Sequence, residues 1–303
     1  MPAVRLGGIE AGGTKVVCGV GEIIGDEVRI LDRAVFPTER SEITIPRLVS
    51  YFKDKNVEAL GIASFGPVDL RKDSPTYGYV RLTPKEGWEN TDFLSPFVKE
   101  FSIPVVFDTD VNGAVLGEAL HGGARHCSSA IYITVGTGIG VGIFVNGGVV
   151  HGLLHPEAGH LRVERHPLER YRGCCRFHCD EKGNSVCMEG LACGPAISER
   201  WGRSGKELSG NQDVWEMEAY YLASGISDLI LTLSPEKIII GGGVMHQPSL
   251  LPLIRKKVQE NLGGYIQNEA LDKSIDEYII SPELGDNAGL IGAFELAKQS
   301  REH

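Results

Sequence analysis

Nowhere in its 303 residues does this sequence hold an apolar run near the roughly 20 residues that cross a bilayer. The longest such stretches lie near Ala130–Val135 and Lys237–Val244, so no membrane partner is expected. Met1-Pro2-Ala3-Val4-Arg5 supplies neither a basic n-region nor a long apolar h-region, which makes a cytoplasmic location the default expectation. Basic tracts are missing as well. The formal net charge is −10, and nucleic acid is not expected as a partner. Phosphate ligands stay open, because backbone N–H groups and helix N-termini hold anions without net positive charge. The seven cysteines are an odd number, which argues against a disulfide framework in a chain of this size.

What is present has the balance of a globular protein, long enough for one large domain or two ordinary ones. Val4–Glu10 and Val16–Val20 read as strands around a glycine turn, and Glu27–Arg33 as a third. Arg47–Lys55 reads as the end of a short amphipathic helix and Ala59–Ser64 as a buried strand. Pro67–Asn90 lacks periodicity and is expected to be a long functional loop. The spacing then predicts a helix over Asp92–Phe101, a strand over Val105–Phe107 and a helix over Val111–His121. Ala130–Val135 and Val141–Val145 repeat the pattern of strand, glycine turn, strand. Helices are expected over Asp213–Leu233, Leu250–Leu262 and Ala288–Gln299, with a strand over Lys237–Ile240. This alternation is that of an α/β protein.

Three glycine turns carry the first chemical signal. Gly12-Gly13-Thr14-Lys15 lets the backbone approach a ligand and adds hydroxyl and ammonium donors suited to phosphate. Its spacing is not that of the P-loop, and a plain tight hairpin is the alternative. Gly136-Thr137-Gly138-Ile139-Gly140 has the same character, and Gly241-Gly242-Gly243 follows a buried strand. Together, at the ends of apolar strands, they point to nucleotide. Asp108 and Asp110 follow a strand and precede a helix. Either could accept a proton from a hydroxyl, or serve only as a helix cap, and spacing does not choose. Five cysteines fall between positions 174 and 193. His160, Cys175, His178 and Cys187 make a two-sulfur, two-imidazole set suited to tetrahedral zinc, with Cys174 and Cys179 as nearby competitors. Four protein ligands would leave no open position, as in a structural site.

At these residues the sequence resembles the ROK family of sugar kinases and repressors. The resemblance rests on Gly12–Lys15, Asp110-Val111-Asn112, Gly136–Gly140, His155-Pro156-Glu157-Ala158-Gly159-His160, Cys187-Met188-Glu189-Gly190 and Gly241–Val244, and runs over essentially the whole chain. It implies an actin-like ATPase (ribonuclease H-like) fold of two α/β domains around a cleft. The expected division is 1–115 plus 287–303 and 116–286, the second part carrying the zinc loop. The resemblance makes Asp110 the catalytic base. It places Asn112, Glu157, His160 and Glu189 on the hexose. ATP, with Mg2+ on its phosphates, falls to Gly12, Gly13, Thr14, Lys15, Thr134, Gly136, Thr137, Gly138, Pro195, Gly241, Gly242, Gly243 and Val244. Structural Zn2+ on His160, Cys175, His178 and Cys187 would fix the wall of the sugar pocket. A homodimer is implied. Glu10 stands where many relatives have Asp. Thr109 stands where glucose-type kinases usually have Asn, which argues against glucose and, with the Cys-x-x-His spacing, for the fructokinase branch. Mannose, glucose and N-acetylhexosamines are the alternative acceptors. A repressor is not expected, because the first phosphate loop begins at residue 10.

Overall fold

The computed structural model describes residues 4–25 and 27–301. Met1–Ala3, part of the segment read above for a leader, lie outside the described residues. In chain order the first elements are β1 (Arg5–Ala11), β2 (Lys15–Ile24), β3 (Glu27–Pro37), α1 (Ser41–Phe52) and β4 (Ala59–Ser64). Next come β5 (Tyr79–Val80), β6 (Thr91–Asp92), α2 (Ser95–Glu100), β7 (Val105–Thr109) and α3 (Asp110–His121). Then follow β8 (Ser129–Val135), β9 (Ile139–Val145), β10 (Gly148–Val149), α4 (Met188–Ala192) and α5 (Gly194–Trp201). The chain ends with α6 (Gln212–Leu233), β11 (Lys237–Gly241), α7 (Leu250–Leu262), α8 (Glu269–Asp272), α9 (Ile275–Tyr278), β12 (Ile279–Ile280) and α10 (Ala288–Gln299). No helix among the described residues is long and apolar enough to cross a membrane.

Two compact units result. The first comprises Met1–Ser128, Gly142–Pro156 and Glu283–His303; the second comprises Ser129–Val141 and Glu157–Pro282. The divisions fall elsewhere than at 115/116 and 286/287. Helix α3 stays whole in the first unit, where the Glu118 carboxylate accepts N–H bonds from Gly123 and Leu284 at 2.8 and 2.9 Å. That bond ties the segment before α10 to the end of α3.

The first unit is built on a five-stranded sheet of order β3-β2-β1-β4-β7. β1 pairs antiparallel with β2 and parallel with β4, and β4 pairs parallel with β7. The parallel registers set Ala11 beside Ser64, and Ser64 beside Thr109, so β1, β4 and β7 end together. Helix α10 lies on this sheet and on α3: its Leu290 and Phe294 side chains pack on Gly8 of β1 and Gly19 and Gly21 of β2, while at Gly61 and Gly113 backbone meets backbone. A Cβ on Gly61 would stand 1.9 Å from the Ala293 carbonyl oxygen, and one on Gly292 would stand 1.7 Å from that of Gly113.

The loop expected over Pro67–Asn90 is pinned to the core. Trp88 is fully buried, edge-on to Phe65 and Phe93 at 5.1 Å each, and its indole N–H donates to Glu39 O at 2.7 Å. Arg47–Lys55, read as the end of a short helix, covers the second half of α1, which begins at Ser41, accommodates Pro46 and stops at Phe52 rather than Lys55. Helix α2 is shorter than Asp92–Phe101: Asp92 is taken up in β6, and its carboxylate accepts from Ser95 N at the helix start.

The second sheet has the order β10-β9-β8-β11-β12, and the division between units falls within β9. In the second unit β11 pairs parallel with β8 and β12. Helix α7 buries Leu250, Ile254, Val258 and Leu262, a stripe at i, i+4 spacing that packs on α6. Gly292→Ala should destabilise the first unit by about 1–3 kcal/mol, through overpacking against the α3 backbone. Thermal melting should show a lowered midpoint.

Candidate active site

In the first unit, the turn between β1 and β2 is closed by Gly12 N–H donating to Lys15 O at 2.9 Å. Thr38 Oγ1 donates to Gly12 O at 2.7 Å and fixes its outer side. Gly13 has open space around it, and Thr14 and Lys15 are exposed. Glu10, the last but one residue of β1, runs under the N-terminal end of α10; a Cβ on Gly289 would sit 2.5 Å from its carboxyl carbon. Its Oε2 is buried without a hydrogen-bond partner. Burial, then repulsion from Asp110, raises the Glu10 pKa to about 7.

Asp110 is the first residue of α3, but the cap of that helix is its neighbour. Thr109 Oγ1 accepts from Asn112 N at 3.1 Å. The alternative of Asp110 as a mere cap is thereby removed. Its carboxylate accepts Val111 N at 2.9 Å, and burial nonetheless raises its pKa to about 6. Asp108 is engaged on both oxygens. Oδ1 accepts from Thr109 N at 2.7 Å and from Asn112 Nδ2 at 2.8 Å, while Oδ2 lies 2.9 Å from His151 Nε2. Of the two aspartates, Asp110 is the one whose carboxylate bonds no other side chain in this network.

His151 was not foreseen. Its hydrogen bond to Asp108 raises its pKa. Nothing in spacing announces it, since 43 residues separate the pair.

In the second unit, Thr134, Gly136–Gly138 and Gly241–Val244 come together because β8 and β11 pair in parallel, Gly241 beside Thr134. Gly242 has φ +94°, and a Cβ there would meet the Val135 backbone at 2.4 Å. Gly194 N–H donates to Gly136 O at 2.7 Å, which brings Pro195 and the start of α5 to the same turn. Glu189 joins this turn to the histidine segment. Its Oε2 accepts from Ile139 N at 2.9 Å, and its Oε1 lies 3.6 Å from His160 Nε2. Glu157 begins this segment, its carbonyl accepting from His160 N at 2.9 Å.

The opposite nitrogen of His160 faces the sulfurs. Nδ1 is 3.6 Å from Cys187 Sγ and 4.0 Å from Cys175 Sγ, and Cys175 Sγ is 3.4 Å from His178 Nδ1. The four ligand atoms lie within 4.8 Å of one another. Tetrahedral zinc, with bonds of about 2.0–2.3 Å, requires separations of roughly 3.5 Å, so the donor set fits the ion. Cys179 is not in this group: its Sγ donates to Cys175 O at 3.3 Å. Cys174 instead meets Cys193.

Paired glycine turns on two α/β units, one beside an uncommitted carboxylate, define a protein of the actin-like ATPase fold. The chain belongs to the ROK family, whose sequence model matches residues 6–300. It is 48% identical over 295 residues to a Bacillus subtilis (strain 168) protein, covering 97% of this chain and 96% of the other. It is 39% identical over 293 residues to a fructokinase of Pediococcus pentosaceus, covering 97% of each. Among solved structures it is similar to a ROK family glucokinase from Streptomyces griseus in complex with glucose and AMPPNP. That match has 26% identity and a TM-score of 0.76, and covers 97% of this chain and 99% of the other.

The raised Glu10 pKa has a defined sign in stability. Folding favours the protonated carboxyl, so its contribution is full below about pH 4.5 and is lost as pH rises through about 7. Glu10→Gln, which never ionises, should therefore melt above wild type at pH 8. The gap should close by pH 5 in paired thermal melts.

Proposed function

We propose that this chain transfers the γ-phosphoryl group of ATP to a hexose, with fructose the favoured acceptor and fructose 6-phosphate the product. The observation that carries the reading is Asp110: a desolvated carboxylate at a strand end, relieved of the capping role by Thr109. With its pKa near 6 it is ionised at neutral pH, yet basic enough to take a hydroxyl proton. As that proton moves to Asp110, the hydroxyl oxygen bonds to the γ-phosphorus and ADP leaves. Phosphoryl transfer asks the protein mainly for positioning and charge stabilisation.

Asn112, Glu157, His160 and Glu189 are the hexose ligands in this reading. Gly12–Lys15, Thr134, Gly136–Gly138, Pro195 and Gly241–Val244 are the nucleotide ligands. The similarity to fructokinases supports fructose. So does Thr109, whose hydroxyl is committed to Asn112 N and stands where an Asn would bind glucose.

The unpartnered Glu10 oxygen and the charge shared with Asp110 suit Mg2+, directly or through its water. That ion would supply charge neutralisation on the phosphates. Zn2+ on His160, Cys175, His178 and Cys187 would be structural, and would hold His160 toward Glu189. A cytoplasmic homodimer completes the reading.

The test is coupled ADP release with ATP, Mg2+ and fructose, mannose, glucose or N-acetylglucosamine. Fructose should give the highest kcat/KM, falling below about pH 6 as Asp110 becomes protonated. Asp110→Asn should lose about 10²–10⁴-fold in kcat with ATP binding retained. Near-normal turnover in this variant would remove Asp110 from the base role.

A further inference from the structure

Two cysteines of the 174–193 group lie outside the proposed metal set and face each other. Cys174 Sγ and Cys193 Sγ are 3.4 Å apart. The backbone holds them there: Cys174 N–H donates to Gly190 O at 3.0 Å, and Cys193 N–H donates to Glu189 O at 3.2 Å. The turn that delivers Cys174 is specified by Gly173, at φ +92°, where a Cβ would collide with the Ser185 side chain. A disulfide requires sulfurs at about 2.05 Å, so the pair must close by a little over an ångström, within reach of small side-chain rotations. Their environments also differ. Cys174 is exposed and can meet a reagent, whereas Cys193 is 1% exposed and can be reached only from within. The neighbouring thiols are otherwise occupied: the Cys175 and Cys187 sulfurs lie with the histidines, and Cys179 bonds a carbonyl.

We propose that Cys174 and Cys193 form a redox-modification site that takes a hydroperoxide as its oxidant. The Cys174 sulfur attacks one peroxide oxygen, the O–O bond breaks, and a sulfenic acid and one water (or alcohol) form. The Cys193 sulfur then displaces the sulfenic oxygen as a second water, giving the disulfide. The two thiols lose two electrons, and the peroxide gains them. Pairs of this type inside cells are transient rather than structural. The bond would join the residue before Cys175 to the residue before Gly194, whose N–H holds the Gly136 turn.

The experiment treats the full-length protein, as purified, with equimolar hydrogen peroxide, followed by alkylation and non-reducing peptide mapping. The expected result is a linked peptide pair carrying Cys174 and Cys193 and a mass loss of about 2 Da reversed by dithiothreitol. Cys193→Ser should leave a dimedone-reactive sulfenic acid on Cys174, and Cys174→Ser should leave Cys193 unmodified. Pairing of Cys174 with Cys175 or Cys179, or both thiols still alkylated after treatment, would overturn the proposal.

Discussion

One imidazole joins two kinds of chemistry in the second unit. His160 presents Nδ1 to the Cys175 and Cys187 sulfurs and Nε2 to the Glu189 carboxylate. Burial lowers its pKa, which favours the neutral ring that a metal requires. Glu189 carries the connection onward, since its other oxygen holds Ile139 N at the glycine turn. Gly138 and Gly159 are required by the same packing. A Cβ on Gly138 would lie 2.7 Å from Glu189 Oε2, and one on Gly159 would lie 1.8 Å from Ile139 O. The Cys/His cluster, the Glu189 carboxylate and the glycine turn therefore share one frame, and displacing the ring would disturb all three.

The first unit solves a different problem: how to keep a carboxylate buried and uncommitted. Helix α10 comes close enough to α3 and β4 that backbone meets backbone, and its Gly289 lies against the Glu10 carboxyl near the end of β1. Glu10 and Asp110 are buried, which raises both pKa values. The nearby polar groups consume one another. Thr109 caps the helix, and Asp108 binds Asn112 and His151. The result is two neighbouring buried carboxyls whose pKa values both lie above the ordinary range, the kind of perturbation that marks a candidate functional site.

Much of this was legible from residue order alone. Helix Leu250–Leu262 was readable because its apolar stripe is local, and Ala288–Gln299 because it is a helix-length run of mostly small and apolar residues, buried on all faces. The four metal-set residues were readable because cysteine and histidine are rare and clustered. The ROK motifs foretold the family and the fold. What stayed hidden depends on contacts distant in sequence. Trp88 folds the long loop onto the core by partners as far off as Glu39, and His151 reaches Asp108 across 43 residues. Pro46 concealed the first half of α1. The choice between Asp108 and Asp110 could not come from spacing, because it depends on which carboxylate its neighbours leave uncommitted.

The central claim is that the Cys/His cluster and the Glu189 carboxylate, proposed above as zinc and hexose ligands, act as one unit through His160. A double-mutant cycle between His178→Ala and Glu189→Gln, read as kcat/KM for fructose, measures it most directly. If the ring transmits the metal's hold, the double variant should be little worse than the more impaired single variant. Losses that multiply would show that the cluster and Glu189 act independently, and would contradict the claim.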